Sequence, residues 1–341
     1  MKKILGIALA GVMMLSMAAC GSKEEAAPAE TVAPAAEEKA EETAETEEGA
    51  VYTVGICQLV EHEALDAATQ GFKDALIEEL GEENVVFDEQ NAAGDSNTCS
   101  TIVNSFVSKD VDLILANATP ALQAAAASTT EIPILGTSVT EYGVALGIDN
   151  FDGTVGGNIS GTSDLPPLDQ QAEMVVELFP DAQKVGLIYC SAEANSQYQV
   201  DNVKAELEAK GLEATLYSFA DSNDIASVVQ TACDNSDVIY VPTDNTAASS
   251  ASIIDGVCRP AGIPVIAGEE GICAACGVAT LSISYYDLGF ATGKMAAKIL
   301  TGESNVAEMP IEYAPQFVKK YNAEIVEDLG VEIPDDYIAI E

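Results

Sequence analysis

Ile132-Pro-Ile-Leu-Gly136 recurs later in the chain as Ile263-Pro-Val-Ile-Ala-Gly268. Two further apolar motifs precede each copy in the same order. The first copy follows Val54-Gly-Ile-Cys57 and Asp112-Leu-Ile-Leu115, and the second follows Val185-Gly-Leu-Ile-Tyr-Cys190 and Asp237-Val-Ile-Tyr240. Amphipathic helical patterns separate these strand-like motifs, and this alternation is typical of parallel α/β sheets. Repetition of the whole series predicts two duplicated, doubly wound parallel-sheet lobes.

The lobes are predicted to exchange segments of chain. Residues 51–161 form the first lobe, completed by a returning helix at about 285–312, and residues 162–284 form the second, completed by residues 313–341. Extended patterns near residues 159–162, 281–284 and 313–316 are interpreted as the linkers between them. Several crossings of the waist predict a hinge that closes around a ligand.

Charge restricts the partners of this chain of 341 residues. The formal net charge is −42, and residues 1–49 hold only 4 of the 14 basic and 10 of the 56 acidic residues, so the remainder still carries −36. Such a surface repels phosphate backbones and anionic lipids, which excludes nucleic acid and disfavours a strongly anionic ligand. A zwitterion or a cation remains compatible with it.

The N-terminus has the pattern of an export signal. Lys2 and Lys3 precede an apolar run over residues 4–19, and Cys20-Gly21-Ser22 follows. We predict a signal peptide at residues 1–19 and lipidation of Cys20, with an uncleaved membrane anchor as the alternative. Residues 20–50, rich in glutamate, are predicted to be an acidic tether. The protein would then lie outside the cytoplasm and contact the membrane through lipid alone.

Seven cysteines remain besides Cys20, so they cannot all pair. Cys57 and Cys190 fall within strand patterns and are predicted to be small buried hydrophobic residues. Cys273-Ala-Ala-Cys276 has the spacing of a metal or redox pair, but neither a second pair nor a neighbouring histidine accompanies it. We therefore predict no metal and no cofactor, and expect a local disulfide or two free thiols there.

Polar residues cluster in the turns that follow the predicted strands, where doubly wound folds bind ligands. The candidate ligand-binding residues are Gln58, Glu61, Thr119, Ser138, Ser163, Asp164, Glu193, Asn195, Asp244, Asn245 and Glu269. Short polar side chains also cap helices, so each has a second interpretation as a cap.

The ammonium group of a zwitterionic ligand would need a carboxylate of the protein to bind it, and Asp164 and Asp244 are the best-placed candidates. A ligand carboxylate would have to meet backbone amides and hydroxyls, because Arg259, the single arginine, lies at a helix end beside Pro260.

Catalysis is not predicted. The sequence contains no glycine-rich phosphate loop and no nucleophile elbow, and the single histidine, His62, has no partner at a catalytic spacing. His62 is interpreted as a residue that lines the cleft or caps a helix. The chain is therefore expected not to be an enzyme.

Several motifs occur together in one order over about residues 52–325. They are Glu61-His-Glu-Ala-Leu-Asp66, Ala118-Thr-Pro120, Thr162-Ser-Asp-Leu-Pro-Pro167, Ser191-Ala-Glu-Ala-Asn-Ser196, Tyr240-Val-Pro-Thr-Asp-Asn-Thr246 and the run from Tyr285 to Leu300. In this the chain resembles the ABC-transporter substrate-binding lipoproteins of the tryptophan/tyrosine-binding type.

The resemblance implies a periplasmic-binding-protein type I fold, no enzymatic activity, an ABC permease as partner and, as often in this family, an aromatic amino acid as ligand. We expect the protein to be a monomer. It also implies that the amino-acid head group is held by Ser163, Asp164, Asn195 and Asp244, with Thr119 and Ser138 from the first lobe. The chain departs from the family at Val139-Thr-Glu-Tyr142, where relatives often read Val-Thr-Asp-Pro, and in Gly268-Glu-Glu270.

Other functions of the same fold stay open. A sensor lipoprotein that presents ligand to a receptor, or a binder of a purine nucleoside or sugar, would share the lobes. A transcriptional repressor core would need a DNA-reading module and a basic surface, which the export signal and the acidic charge contradict.

Overall fold

The computed structural model describes residues 50–340. The predicted signal peptide, Cys20 and nearly all of the acidic tether lie outside the described residues. Across residues 50–340, every helix is too short or too polar to span a lipid bilayer.

The first sheet combines an N-terminal α/β series with one late strand. Its strands are β1 (Tyr52–Gln58), β2 (Val85–Asn91), β3 (Leu113–Asn117), β4 (Ile134–Val139), β5 (Ile159–Ser163) and β11 (Glu312–Tyr313). They pair in parallel in the order β2-β1-β3-β4-β5-β11. Parallel pairing places all their carboxyl ends at one edge of the sheet.

The second sheet repeats this topology. Its strands are β6 (Lys184–Cys190), β7 (Glu213–Phe219), β8 (Val238–Val241), β9 (Val265–Ala267), β10 (Ala279–Ser282), β12 (Val318–Tyr321) and β13 (Ile338–Ala339). The order β7-β6-β8-β9-β10 matches that of β2-β1-β3-β4-β5, and β12 then pairs antiparallel to β10. The prediction of two doubly wound lobes is confirmed.

Helices cover both faces of each sheet, so each lobe has two apolar layers. In the first lobe they are α1 (Glu63–Leu80), α2 (Ser96–Lys109), α3 (Thr119–Ser128), α4 (Tyr142–Leu146) and α11 (Tyr285–Leu300). In the second lobe they are α5 (Leu168–Leu178), α6 (Ala194–Ala209), α7 (Ile225–Cys233), α8 (Asn245–Ser249), α9 (Ala251–Ala261), α10 (Glu270–Cys276) and α12 (Ala323–Leu329). The covered sheets explain the nearly continuous apolar strands.

The chain passes between the sheets at residues 164–167, 283–284 and 314–317. Two of the predicted linkers, near residues 281–284 and 313–316, overlap these crossings, whereas the first is displaced. Residues 159–162 belong to β5, and the boundary predicted at residue 162 therefore falls inside the first sheet. Tyr313, assigned to the second lobe, pairs with Ser163 in the first. An extended edge strand and an extended linker have the same sequence pattern, so only the hydrogen bonds to a neighbouring strand distinguish one from the other.

Candidate functional site

The two sheets bring their carboxyl edges together, and polar side chains connect them. Gln199 of α6 donates through Nε2 to Thr140 Oγ1 at 3.4 Å, which links the second lobe to the first. On another side, His62 Nε2 lies 3.3 Å from Asn245 Oδ1. These contacts define an inter-lobe site at the edge where doubly wound sheets bind ligands.

Asp164 lies where the chain leaves the first sheet. Asp164 is 3% exposed, and its carboxylate accepts a hydrogen bond from Tyr285 Oη at 3.0 Å through Oδ2. Within residues 50–340 the other oxygen, Oδ1, has no hydrogen-bond partner. Burial raises the pKa of Asp164 to about 6, because desolvation disfavours the charged form. The site thus holds a buried acceptor that lacks a donor.

Ser138 faces the same region from the first lobe. Pairing between β4 and β5 shifts register between Gly136 and Val139, and Ser138 has a positive φ of 53°. Such an irregularity turns a side chain out of the regular alternation, and strained non-glycine backbone is concentrated at functional sites. The buried Ser138 Oγ makes no hydrogen bond to any other part of the described chain. The next strand residue, Val139, accepts a bond from the Asp164 amide at 3.3 Å.

Asn195 contributes from the second lobe, in the first turn of α6. Its Nδ2 donates to Thr243 O and to Glu193 Oε2, both at 3.2 Å. Its buried Oδ1 has no donor among the residues that the structure describes. Gln199, one helical turn later, also donates to Thr243 O, at 3.2 Å. Asn195 therefore presents a second buried acceptor in the hydrogen-bonded group that contains Thr140.

Two of the candidate carboxylates, Asp244 and Glu269, cap helices, and a third, Glu193, accepts hydrogen bonds from the start of α8. Asp244 accepts the amides of Cys190 and Ala247 at 2.6 and 2.8 Å, and burial raises its pKa, with the nearby Glu193 charge adding to the effect. Glu193 receives the amide of Asn245 at 3.1 Å and its side-chain Nδ2 at 2.6 Å. These contacts join the start of α8 to the turn before α6.

Glu269 caps α10 by accepting the amides of Gly271 and Ile272 at 2.7 and 2.5 Å. Burial raises its pKa to about 7. It also lines an inter-lobe cavity of about 280 Å³ with Glu63 and Tyr285. The alternative interpretation as caps thus describes Asp244 and Glu269, whereas Glu193 makes no side-chain cap on α6, the helix that follows it.

The remaining candidates divide between two places. Thr119 is buried at the start of α3, and Ser163 donates to Thr140 O at 2.8 Å, so both lie at the carboxyl edge of the first sheet. Gln58 instead donates to Asp66 Oδ1 at 2.6 Å, and with exposed Glu61 it lines a cavity built from first-lobe residues. The structure does not bring Gln58 and Glu61 to the inter-lobe group.

Sequence reasoning did not select Thr140, Gln199 and Tyr285. The apolar helical pattern of this segment starts only after Gln199, whereas α6 begins at Ala194, so Asn195 and Gln199 lie four residues apart on one helical face. Polar residues in the first turn of a helix have the composition of a loop, so the sequence pattern does not reveal where α6 begins. Tyr285 begins α11 just after a crossing, and only the fold places its hydroxyl on Asp164.

The site is acidic and is not arranged for a metal. Arg259 pairs with Asp255, Glu324 and Asp328 away from the inter-lobe group, as its position beside Pro260 predicted. Among residues 50–340, no group of three or more His, Cys, Asp or Glu side chains could hold a metal ion. The geometry favours binding of a group that carries positive charge and hydrogen-bond donors.

A cavity of about 400 Å³ also opens between the lobes. It is lined by Leu59, Val60 and Pro120 of the first lobe and by Glu193 and Asn245 of the second. This volume lies within the usual range of small-molecule sites. Two doubly wound lobes, three crossings and a polar group between them define a solute-binding protein of the periplasmic-binding-protein type I fold.

The chain belongs to the family of ABC transporter substrate-binding proteins, whose model matches residues 53–340. It is 37% identical to a tyrosine-binding protein of Clostridioides difficile (strain R20291) over 313 residues, which cover 91% of this chain and 87% of that protein. The predicted family resemblance is therefore confirmed. ABC transporter substrate-binding proteins bind solutes and are not enzymes, and they lie outside the cytoplasm and work with an ABC permease.

Two solved structures are also similar. An ABC domain in complex with L-Trp from Streptococcus pneumonia has a TM-score of 0.80 at 32% identity, covering 84% of this chain and 97% of that one. The ligand-free, open structure of a substrate-binding protein with adhesive properties from Clostridium difficile has a TM-score of 0.65 at 37% identity, covering 85% and 99%.

Proposed function

We propose that this protein captures an aromatic amino acid by closing its lobes and delivers it to an ABC permease for import. The observation that carries the proposal is the pair of buried acceptors, Asp164 Oδ1 and Asn195 Oδ1, which lack a donor within the described residues. An ammonium group supplies three donors together with a positive charge. Such a group would satisfy both oxygens and offset the burial of the Asp164 carboxylate.

The carboxylate of the amino acid would be held by the first lobe. The Ser138 hydroxyl can donate, and α3 begins at Thr119 without a side-chain cap on its amides. Free amides at a helix N-terminus bind carboxylates well. A zwitterion would therefore connect the first lobe, the crossing at Asp164 and the second lobe.

An aromatic side chain is supported by the relatives and by the cavity. The tyrosine-binding protein and the L-Trp complex share 37% and 32% of their residues with this chain. Leu59, Val60 and Pro120 offer apolar surface in the cavity of about 400 Å³, against which a ring would pack. A sugar or purine nucleoside would leave the Asp164 charge without a counter-charge.

Lobe closure is supported by comparing the two solved structures. The chain has the higher TM-score with the L-Trp complex, although its sequence is more similar to the ligand-free, open protein. A closed arrangement agrees with the contacts from Gln199 to Thr140 and from His62 to Asn245.

The proposal also includes an anchor. The export signal before Cys20 would attach the protein to the membrane by lipid, with residues 20–50 as a tether. Metabolic labelling with a fatty-acid analogue tests this, since a Cys20→Ala variant should not incorporate the label.

Calorimetric titration of the lobes with tyrosine, tryptophan, phenylalanine, adenosine and glucose tests the ligand class. We expect Asp164→Asn to weaken binding of the preferred aromatic amino acid about 100-fold, because a buried charged hydrogen bond is worth roughly 2–5 kcal/mol when one partner is removed. The des-amino analogue of tyrosine should bind the parent protein weakly and should lose little further affinity in the variant.

Asp181→Asn is the matched control, because Asp181 is exposed and lies outside the site. Binding of glucose or adenosine alone would refute the proposed ligand class. An unchanged affinity in Asp164→Asn would remove Asp164 from the ammonium site.

A further inference from the structure

Two cysteines of the second lobe are in contact inside its core. Cys233 is the last residue of α7, and Cys258 lies in α9, which packs against α7. Their Sγ atoms are 3.5 Å apart, and the side chains are only 7% and 1% exposed. The two sulfur atoms thus face one another across a helix–helix contact.

The other cysteine pair of this lobe is engaged differently. Cys273 and Cys276 both lie in α10, and the Cys276 thiol donates to the Ile272 carbonyl at 3.3 Å. That thiol bonds to the backbone of its own helix. The spacing in the sequence pointed to Cys273 and Cys276, whereas the fold brings Cys233 and Cys258 together.

We infer that Cys233 and Cys258 become joined by a disulfide bond when the exported chain folds. The chain belongs to an extracytoplasmic family, and disulfides form and persist outside the cytoplasm. The bond would close the segment from α7 to α9, which carries β8 and the capping residue Asp244. It would therefore hold the segment that supports Asn195 and Gln199 through Thr243.

The chemistry is a thiol–disulfide exchange with a disulfide carrier of the extracytoplasmic space as oxidant. The Cys258 thiol hydrogen-bonds to Cys233, which lowers the pKa of Cys233 and favours its thiolate as the attacking group. This thiolate bonds to one carrier sulfur and releases the other. The Cys258 thiolate then attacks Cys233 Sγ and displaces the carrier, which leaves as a dithiol after taking up the two protons that the cysteines lose.

Peptide mapping of the full chain tests the inference directly. Protein exported by its own signal is denatured in an alkylating reagent and then cleaved before aspartate and after glutamate. Cleavage isolates Cys233 in residues 224–233 and Cys258 in residues 255–269, apart from Cys273 and Cys276. We expect these two peptides to be linked until a reductant is added. Recovery of both peptides alkylated, or a link from Cys233 to another cysteine, overturns the inference.

Thermal unfolding provides a second readout. Reduction should lower the Tm of the parent protein by roughly 5–10 °C, because a cross-link over this separation restricts the unfolded chain. Cys258→Ser should abolish the effect of the reductant. Cys273→Ser, a buried cysteine of the same core, should retain it. An equal effect of the reductant on the parent protein and on Cys258→Ser contradicts the bond.

Discussion

Asp164 combines three features that seldom occur together in a stable core. It is buried, and it directly follows β5 at a crossing between the lobes. One carboxylate oxygen accepts a hydrogen bond from Tyr285, while the other has no donor within residues 50–340. An unsatisfied buried carboxylate costs free energy, so a protein retains one where a ligand completes it. In the proposed function, the ligand's ammonium group makes this position favourable.

This cost should be visible in the pH dependence of stability. The pKa of Asp164 is raised to about 6 in the folded protein, so its contribution to stability is present at low pH and is lost as the pH rises through 6. Between pH 5 and pH 8 the ligand-free parent should lose about 1 kcal/mol relative to Asp164→Asn. Denaturant unfolding of both proteins measures the difference. Parallel pH curves would contradict a raised pKa at Asp164.

At the scale of elements, the contact between α1 and α11 attaches the returning helix to the first lobe. Gly71, Gly289 and Gly293 lie at this contact, where an added Cβ would come within 1.9–2.5 Å of backbone atoms at its closest approach. The helices therefore pack backbone against backbone. Tyr285, which donates to Asp164, begins α11, so this packing also sets the position of a site residue.

Gly289→Ala should therefore destabilise the protein strongly. Its Cβ would lie 1.9 Å from Ala68 O, which forces the helices apart, and we expect a loss of about 3 kcal/mol. Gly256→Ala is the matched control, since Gly256 is exposed within α9 with nothing near its Cβ position. That change should stabilise by about 0.5–1 kcal/mol. Equal effects in denaturant unfolding would show that the contact tolerates a methyl group.

Across the whole molecule, His62 forms a contact between the lobes. Asn245 donates its Nδ2 to Glu193 at 2.6 Å, which turns Oδ1 toward His62 Nε2. Burial lowers the pKa of His62, so the neutral ring would donate from Nε2 at neutral pH. This contact requires both lobes, and opening of the cleft would break it.

His62→Ala should therefore increase the ligand dissociation rate about 10-fold, the equivalent of ~1.4 kcal/mol for one hydrogen bond. Stopped-flow displacement of bound ligand measures this rate, and the association rate should change less. His62→Gln keeps a side-chain donor and should restore much of the slow dissociation. A rate unaffected by His62→Ala would show that the contact does not stabilise closure.

Much of this architecture could be predicted from the sequence. Strand-forming motifs repeated in one order predicted two doubly wound lobes, because each strand and helix is encoded by a local apolar period. The acidic composition likewise disfavoured a strongly anionic ligand, and the position of Arg259 beside Pro260 predicted that the single arginine lies away from the site. These properties depend on neighbours along the chain or on total charge, and both can be evaluated from the sequence alone.

Only the tertiary structure showed which polar turn residues hydrogen-bond to the backbone and which have an oxygen available for a ligand. Asp244 and Asp164 both follow strands. Both carboxylate oxygens of Asp244 accept hydrogen bonds from backbone amides, whereas one carboxylate oxygen of Asp164 has no hydrogen-bond partner in the described part of the chain. The same holds for Cys233 and Cys258, which meet although 25 residues separate them. Hydrogen bonding and sulfur contact depend on distances of a few ångströms between remote segments, and packing of the lobes determines those distances.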